Sequence, residues 1–186
     1  MHCKKEGGSE MADEVKHWYE PLTPLSFLER IAYVMPDKPA VIHEDRAWTW
    51  REFFDRVNQL SNALKGIGIK RGENVAFLCR NFPPLLEAHY GVPLTGGALV
   101  AVNYRLSAPE ITTIVNLSEA KVMFVDAGVA HLVNPEDLPN VKTYIDVFDG
   151  RDTYGEVPKK QLPGIGYEEF IGSASKEYIR LELEDE

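Results

Sequence analysis

The chain has 186 residues, enough for one domain with its own core or for a large piece of a bigger one. Hydrophobic residues make up 44% and charged residues 26%, the balance of a soluble globular protein. With 20 Lys and Arg against 29 Asp and Glu the net charge is -9, which argues against a nucleic-acid partner, because phosphate backbones need a basic surface.

There are two cysteines, Cys3 and Cys79. One lies in a polar leader and the other ends an apolar run, so a disulfide framework is not expected and a reducing, cytoplasmic setting is. Cys79 reads as a small buried hydrophobe rather than a nucleophile. No apolar stretch approaches the ~20 residues that cross a bilayer, and Met1 to Lys16 hold no signal-peptide core.

Residues 1–16, with Gly7, Gly8, Ser9 and scattered charge, are expected to be a disordered tail, and residues 17–186 a single incomplete domain. A helix is predicted from Pro24 to Met35: Thr23 can cap it, Pro24 suits its first position, and Leu25, Leu28, Ile31, Ala32 and Met35 share one face. A hairpin follows, with Ala40 to Ile42 and Ala47 to Trp48 joined by a turn over His43 to Arg46. Thr49 and Glu52 have the spacing of a capping box and open a long helix with a stripe of Phe54, Val57, Leu60, Leu64 and Ile67, stopped by Gly66 and Gly68.

Val75 to Cys79 is continuously apolar, as a strand covered on both faces would be. Asn81 is positioned to cap the next helix, with Pro83 and Pro84 in its first turn, Leu85, Leu86, Ala88, His89 and Tyr90 along it and Pro93 at its end. His89, within that apolar stretch, is expected to be a core or interface histidine. A strand at Leu99 to Val102, a capping box at Ser107 and Glu110 with Ile111, Ile114, Val115 and Ser118 on one face, and strands at Val122 to Val125 and Val141 to Val147 complete the pattern. Residues 149–164 read as a loop and Tyr167 to Ile171 as a short helix. Alternating strands and helices with short links predict an α/β fold, a parallel sheet flanked by helices.

The chemical motifs are sparse. Gly66, Gly68 and Gly72 stand one residue off a dinucleotide fingerprint, but they follow a helix and precede a strand, the reverse of what places a helix amino terminus on a pyrophosphate. The five histidines show no metal-ligand spacing, and there is no nucleophile elbow. Glu168 and Glu169 are sequence neighbours on an expected surface and poor candidates for acid–base work. Asn103 suits a strand-to-helix turn by bonding to nearby backbone, and Arg105 is expected to pair with an acidic neighbour.

Several segments in order carry a resemblance: Lys38-Pro39-Ala40-Val41, Trp48-Thr49-Trp50-Arg51-Glu52, Arg71-Gly72-Glu73-Asn74-Val75-Ala76 with Asn81 after it, Gly96-Gly97-Ala98 leading to Val102-Asn103-Tyr104-Arg105-Leu106, and Glu110. From about Glu20 to Asp126 the chain resembles the adenylate-forming superfamily, which includes acyl-CoA synthetases, firefly luciferase and peptide-synthetase adenylation domains. It looks most like the medium- and long-chain fatty acyl-CoA synthetases. Tyr167-Glu168-Glu169-Phe170 resembles the segment shortly before that family's phosphate loop.

The resemblance implies the partial N-terminal subdomain of the acyl-CoA synthetase fold. It also implies a two-step reaction: a fatty acid carboxylate attacks the α-phosphorus of ATP to give an acyl-adenylate, and CoA thiolate then displaces AMP, with magnesium screening the phosphates. ATP, magnesium and CoA are thus expected of the complete enzyme. The sequence stops before the phosphate loop, so no catalytic residue is transferred and the segment is expected to be inactive alone. Some acetyl-CoA synthetases contact the CoA nucleotide with Arg side chains from the loop after the Val122 to Val125 strand. Here Ala127 to Val133 contains no Arg, and His131 is the one candidate CoA contact. The alternatives are an assembly module that forms homo-oligomers or docks onto a separately encoded remainder, and an unrelated α/β nucleotide-binding domain.

Overall fold

The computed structural model describes residues 22–148 and 162–181. The expected tail and most of the expected loop over residues 149–164 lie outside the described residues. The elements run α1 (Pro24–Val34), β1 (Pro39–His43), β2 (Arg46–Thr49), α2 (Trp50–Gly66), β3 (Asn74–Leu78), α3 (Pro83–Gly91), β4 (Ala98–Val102), α4 (Ala108–Leu117), β5 (Val122–Asp126), β6 (Thr143–Val147), β7 (Ile165–Gly166) and α5 (Tyr167–Gly172). No helix among the described residues is long and apolar enough to cross a membrane.

The centre is a five-stranded, wholly parallel sheet in the order β4-β3-β5-β6-β7. Val75, Ala76, Phe77 and Leu78 are fully buried, which explains why their run does not alternate. The period of two survives in where the side chains go. Val75 and Phe77, with Phe124 and Ile145, pack under α2, α3 and α5; Ala76 and Leu78, with Met123 and Val125, pack under α4. Phe77 and Phe124 stack across β3 and β5 with centroids 4.1 Å apart.

The N-terminal third is a smaller layer on the same body. β1 and β2 form an antiparallel hairpin whose turn places Glu44 at φ 55°, the left-handed region, in the absence of a glycine. Leu28, Phe53, Val57 and Leu94 form its core, joined by Leu25, Ile31, Val41 and Trp50. Three helix starts carry reciprocal capping boxes: Thr23 with Ser26, Thr49 with Glu52 and Ser107 with Glu110. α2 ends at Gly66, and Gly68 takes φ +93° to turn the chain into the link before β3, so the glycine cluster is a helix-to-strand turn.

Five local expectations are corrected. Met35 leaves the α1 face because it sits beyond the last turn, at φ -134°, and is exposed. The α2 stripe keeps Val57, Leu60 and Leu64 buried and Phe54 half-buried, but it gains Phe53 as its most buried aromatic, whereas Ile67 lies past the helix end in solvent. Asn81 does not cap α3. Pro83 takes the first helical position, which forces the preceding Phe82 into extended backbone at the cap, and no side chain caps that helix. His89 is exposed rather than buried, its ring nitrogen turned back to the Leu85 carbonyl at 2.7 Å. The short strand β7 was not foreseen, and Ile114 lies at the solvent edge of α4.

Candidate functional site

After β3 the chain crosses to β4 on one side, then returns to β5 on the other. In an open parallel sheet the ligand crevice lies outside the carboxyl ends of the strands at such a reversal. Here that point lies between the ends of β3 and β5. The loops at this edge carry Arg80, Asn81 and Phe82 after β3, Asn103, Tyr104 and Arg105 after β4, and Ala127 to Leu132, a 3-10 segment, after β5.

A buried ion pair closes the reversal. Asp126, 1% exposed, accepts from Arg80 Nε at 2.5 Å and from Arg80 Nη2 at 2.9 Å. The same carboxylate accepts the Gly128 backbone N–H at 2.9 Å, which starts the 3-10 segment. Gly128 lies flat against Arg80: a Cβ there would stand 2.8 Å from Nη2. Arg80 also lies over the Phe82 ring at 4.6 Å. Sequence reading found no cation in this loop and missed that Arg80, just after β3, packs against it as the partner of Asp126. Its signal was a charged residue directly after a buried strand, opposite an Asp that ends another.

The residues singled out by sequence come to the same edge but not into one cluster. Asn103 Oδ1 accepts the Arg105 backbone N–H at 3.0 Å, the local turn expected of it. Arg105 is exposed and lies over the Tyr104 ring at 5.4 Å; among the described residues it has no carboxylate partner, so the expected ion pair is absent. His131 is exposed near the end of the 3-10 segment. Among the described residues no group of three or more His, Cys, Asp or Glu could hold a metal ion, and no step is assigned to magnesium here.

A second network ties the helices on one face of the sheet. Glu87 of α3, 1% exposed, accepts from Arg56 Nε at 2.7 Å and from the Tyr167 hydroxyl at 2.5 Å. Arg56 turns its other edge to Glu168, at 2.9 and 2.7 Å. Burial works against the Arg56 charge, yet Glu168 and Glu87 hold its pKa above the ordinary arginine value. Burial first and Glu87 second push the Tyr167 hydroxyl well above its usual range, so Tyr167 acts as a neutral donor. α2, α3 and α5 are thereby locked at one point.

The fold is thus a doubly wound parallel α/β sheet with a hairpin-and-helix layer, and its reversal point is occupied by an ion pair. The family profile for AMP-binding enzyme matches residues 28–166, and the chain belongs to that family. This removes the alternative of an unrelated nucleotide-binding domain. The chain is 33% identical over 180 residues to 4-hydroxybutyrate--CoA ligase 2 of Metallosphaera sedula, covering 95% of this chain and 32% of that ligase. It is 44% identical over 108 residues to the peroxisomal acetate/butyrate--CoA ligase AAE7 of Arabidopsis thaliana, covering 58% of this chain and 19% of that one. The anthranilate CoA ligase AuaEII, solved with anthranoyl-AMP, shares the fold at a TM-score of 0.76 and 24% identity, over 84% of this chain and 29% of the other. The N-terminal domain of FACL13 from Mycobacterium tuberculosis does so at a TM-score of 0.70 and 23% identity, over 85% of this chain and 38% of the other. The chain spans about a third or less of the curated relatives it matches.

Proposed function

We propose that the chain is the N-terminal portion of an ATP-dependent acyl-CoA ligase, which joins a carboxylate to CoA through an acyl-adenylate and releases AMP and pyrophosphate. The observation that carries this is the family match over residues 28–166, on a fold shared with a solved CoA ligase. In the whole enzyme ATP and CoA are co-substrates and magnesium supplies charge screening of the phosphates. The segment itself holds a parallel sheet with its reversal point braced by Arg80 and Asp126. His131, exposed at the same edge, is the proposed CoA contact, and a cytoplasmic location belongs to the same proposal.

Relatives named for 4-hydroxybutyrate, acetate and butyrate supply the first carboxylates to try, followed by longer fatty acids. The test is acyl-hydroxamate formation by the purified 186-residue chain with ATP, magnesium, hydroxylamine and each acid. No product is expected from the chain alone. Acyl-hydroxamate above the level without ATP overturns the inactive-segment reading. The second reading, an assembly module docking to the remainder or to a second copy, is favoured by the exposed Ile42, Leu117 and Ile179. A concentration-independent monomer in sedimentation counts against the second-copy form.

A further inference from the structure

α1 buries one face and exposes another. Leu28 and Ala32 point into the core, while Phe27, Arg30, Tyr33 and Val34 face solvent, with Phe27 58% and Tyr33 82% exposed. Beside that outer face runs a cleft of about 490 Å³, within the size range of small-molecule sites. Its walls come from α1, from the start of α2 and from the segment after α5.

That third wall is fastened in place. Gln59 donates to the Ile171 carbonyl at 3.2 Å, and Asn62 donates to the carbonyls of Ser175 and Glu177 at 2.8 and 2.9 Å. Tyr178 then packs on Phe54 with centroids 5.2 Å apart, and Arg180 pairs with Glu29 at 3.1 Å. These bonds make the segment after α5 part of the packed body beside the cleft.

Its lining has a definite chemistry. Phe27, Tyr33, Phe54 and Tyr178 supply aromatic surface. Arg30 and Arg51 also line it, and neither makes an ion pair among the described residues. The one carboxylate of the lining, Glu29, is already engaged by Arg180 and Tyr178. A chain of net charge -9 thus gathers uncompensated cations on one aromatic cleft.

We propose that this cleft binds a small organic anion with a flat apolar body, a carboxylate, sulfonate or phosphate monoester. The anionic head lies on Arg30 and Arg51, where guanidinium groups give charge-assisted, two-point hydrogen bonds. The body lies along Phe27, Tyr33 and Phe54. A second copy of the same face does not fit, because it would set like charges against each other. The lining includes neither Arg80 nor Asp126, and the proposal does not depend on the ligase reading.

The probe is anilinonaphthalenesulfonate, titrated into the full 186-residue chain by fluorescence and calorimetry. Saturable one-to-one binding is expected, displaced by naphthoate or naphthyl phosphate and not by neutral naphthalenemethanol. Arg30→Gln and Arg51→Gln should each weaken it about tenfold, with circular dichroism unchanged. If either variant loses its folded spectrum, Phe27→Ser, at an exposed wall position, takes its place and should also weaken binding. No binding, binding that survives these substitutions, or displacement by the neutral alcohol overturns the proposal.

Discussion

Arg80 and Asp126 meet at 2.5 Å across the ends of β3 and β5, where the strand order reverses. The Asp126 side chain is 1% exposed and that of Arg80 16%, so removing the carboxylate breaks a desolvated ion pair. Asp126→Ala is predicted to destabilise by about 3–5 kcal/mol, read from denaturant unfolding. A loss under about 1 kcal/mol would mean that Arg80 finds water or another acceptor at no cost.

The Glu87 network separates a buried link from an exposed one. Tyr167→Phe removes a donor to a buried carboxylate and should cost about 1–3 kcal/mol. Glu168→Gln breaks a contact whose side chain is 66% exposed and should cost under about 1 kcal/mol. The reverse order of the two losses would contradict the assignment of Glu87 as the anchor of α3.

Acid should loosen two helix starts. Hydrogen bonds from the backbone and hydroxyls of Thr49 and Ser107 hold Glu52 and Glu110 below the ordinary glutamate value of 4.5. The unfolded chain then binds more protons than the folded one, so this contribution is present above the unfolded value and is lost as pH falls through the folded one. The double variant Glu52→Gln, Glu110→Gln should show a shallower loss of stability on acidification below about pH 4.3. An unchanged slope would remove the capping boxes as a source of acid sensitivity.

Gly97 is required by close approach. A Cβ there would stand 2.8 Å from the Glu73 carbonyl oxygen and 3.0 Å from the Thr95 hydroxyl. The obstacle is backbone that starts β3 and β4 together, so it cannot swing aside. Gly97→Ala should cost about 1–3 kcal/mol, whereas Gly66→Ala, with open space around it, should be near neutral. Thermal midpoints of the two variants check the contrast.

Strands buried on both faces were legible because nothing but a covered position explains Val75 to Cys79 without alternation. Helix starts were legible because Thr49 with Glu52 and Ser107 with Glu110 announce a local bond. What failed depended on geometry set at a distance. Phe53 and Phe54 are both apolar, and only packing against Tyr90 on one side and Tyr178 on the other decides which one is buried. β7 is two residues held by register with β6, too short to leave a pattern. At the candidate site Asn103 could be read because its bond partner is two residues away. Arg80 could not, because Asp126 is 46 residues further along.

The most direct test is to raise antibodies against this sequence, precipitate the native polypeptide from its own cells and assay acyl-CoA formation with ATP, magnesium, CoA and acetate, butyrate, 4-hydroxybutyrate or longer fatty acids. The account predicts ATP-dependent acyl-CoA with at least one acid, from material larger than 21.0 kDa or from a complex that contains it. A 21.0 kDa polypeptide that precipitates with no ligase activity would contradict it.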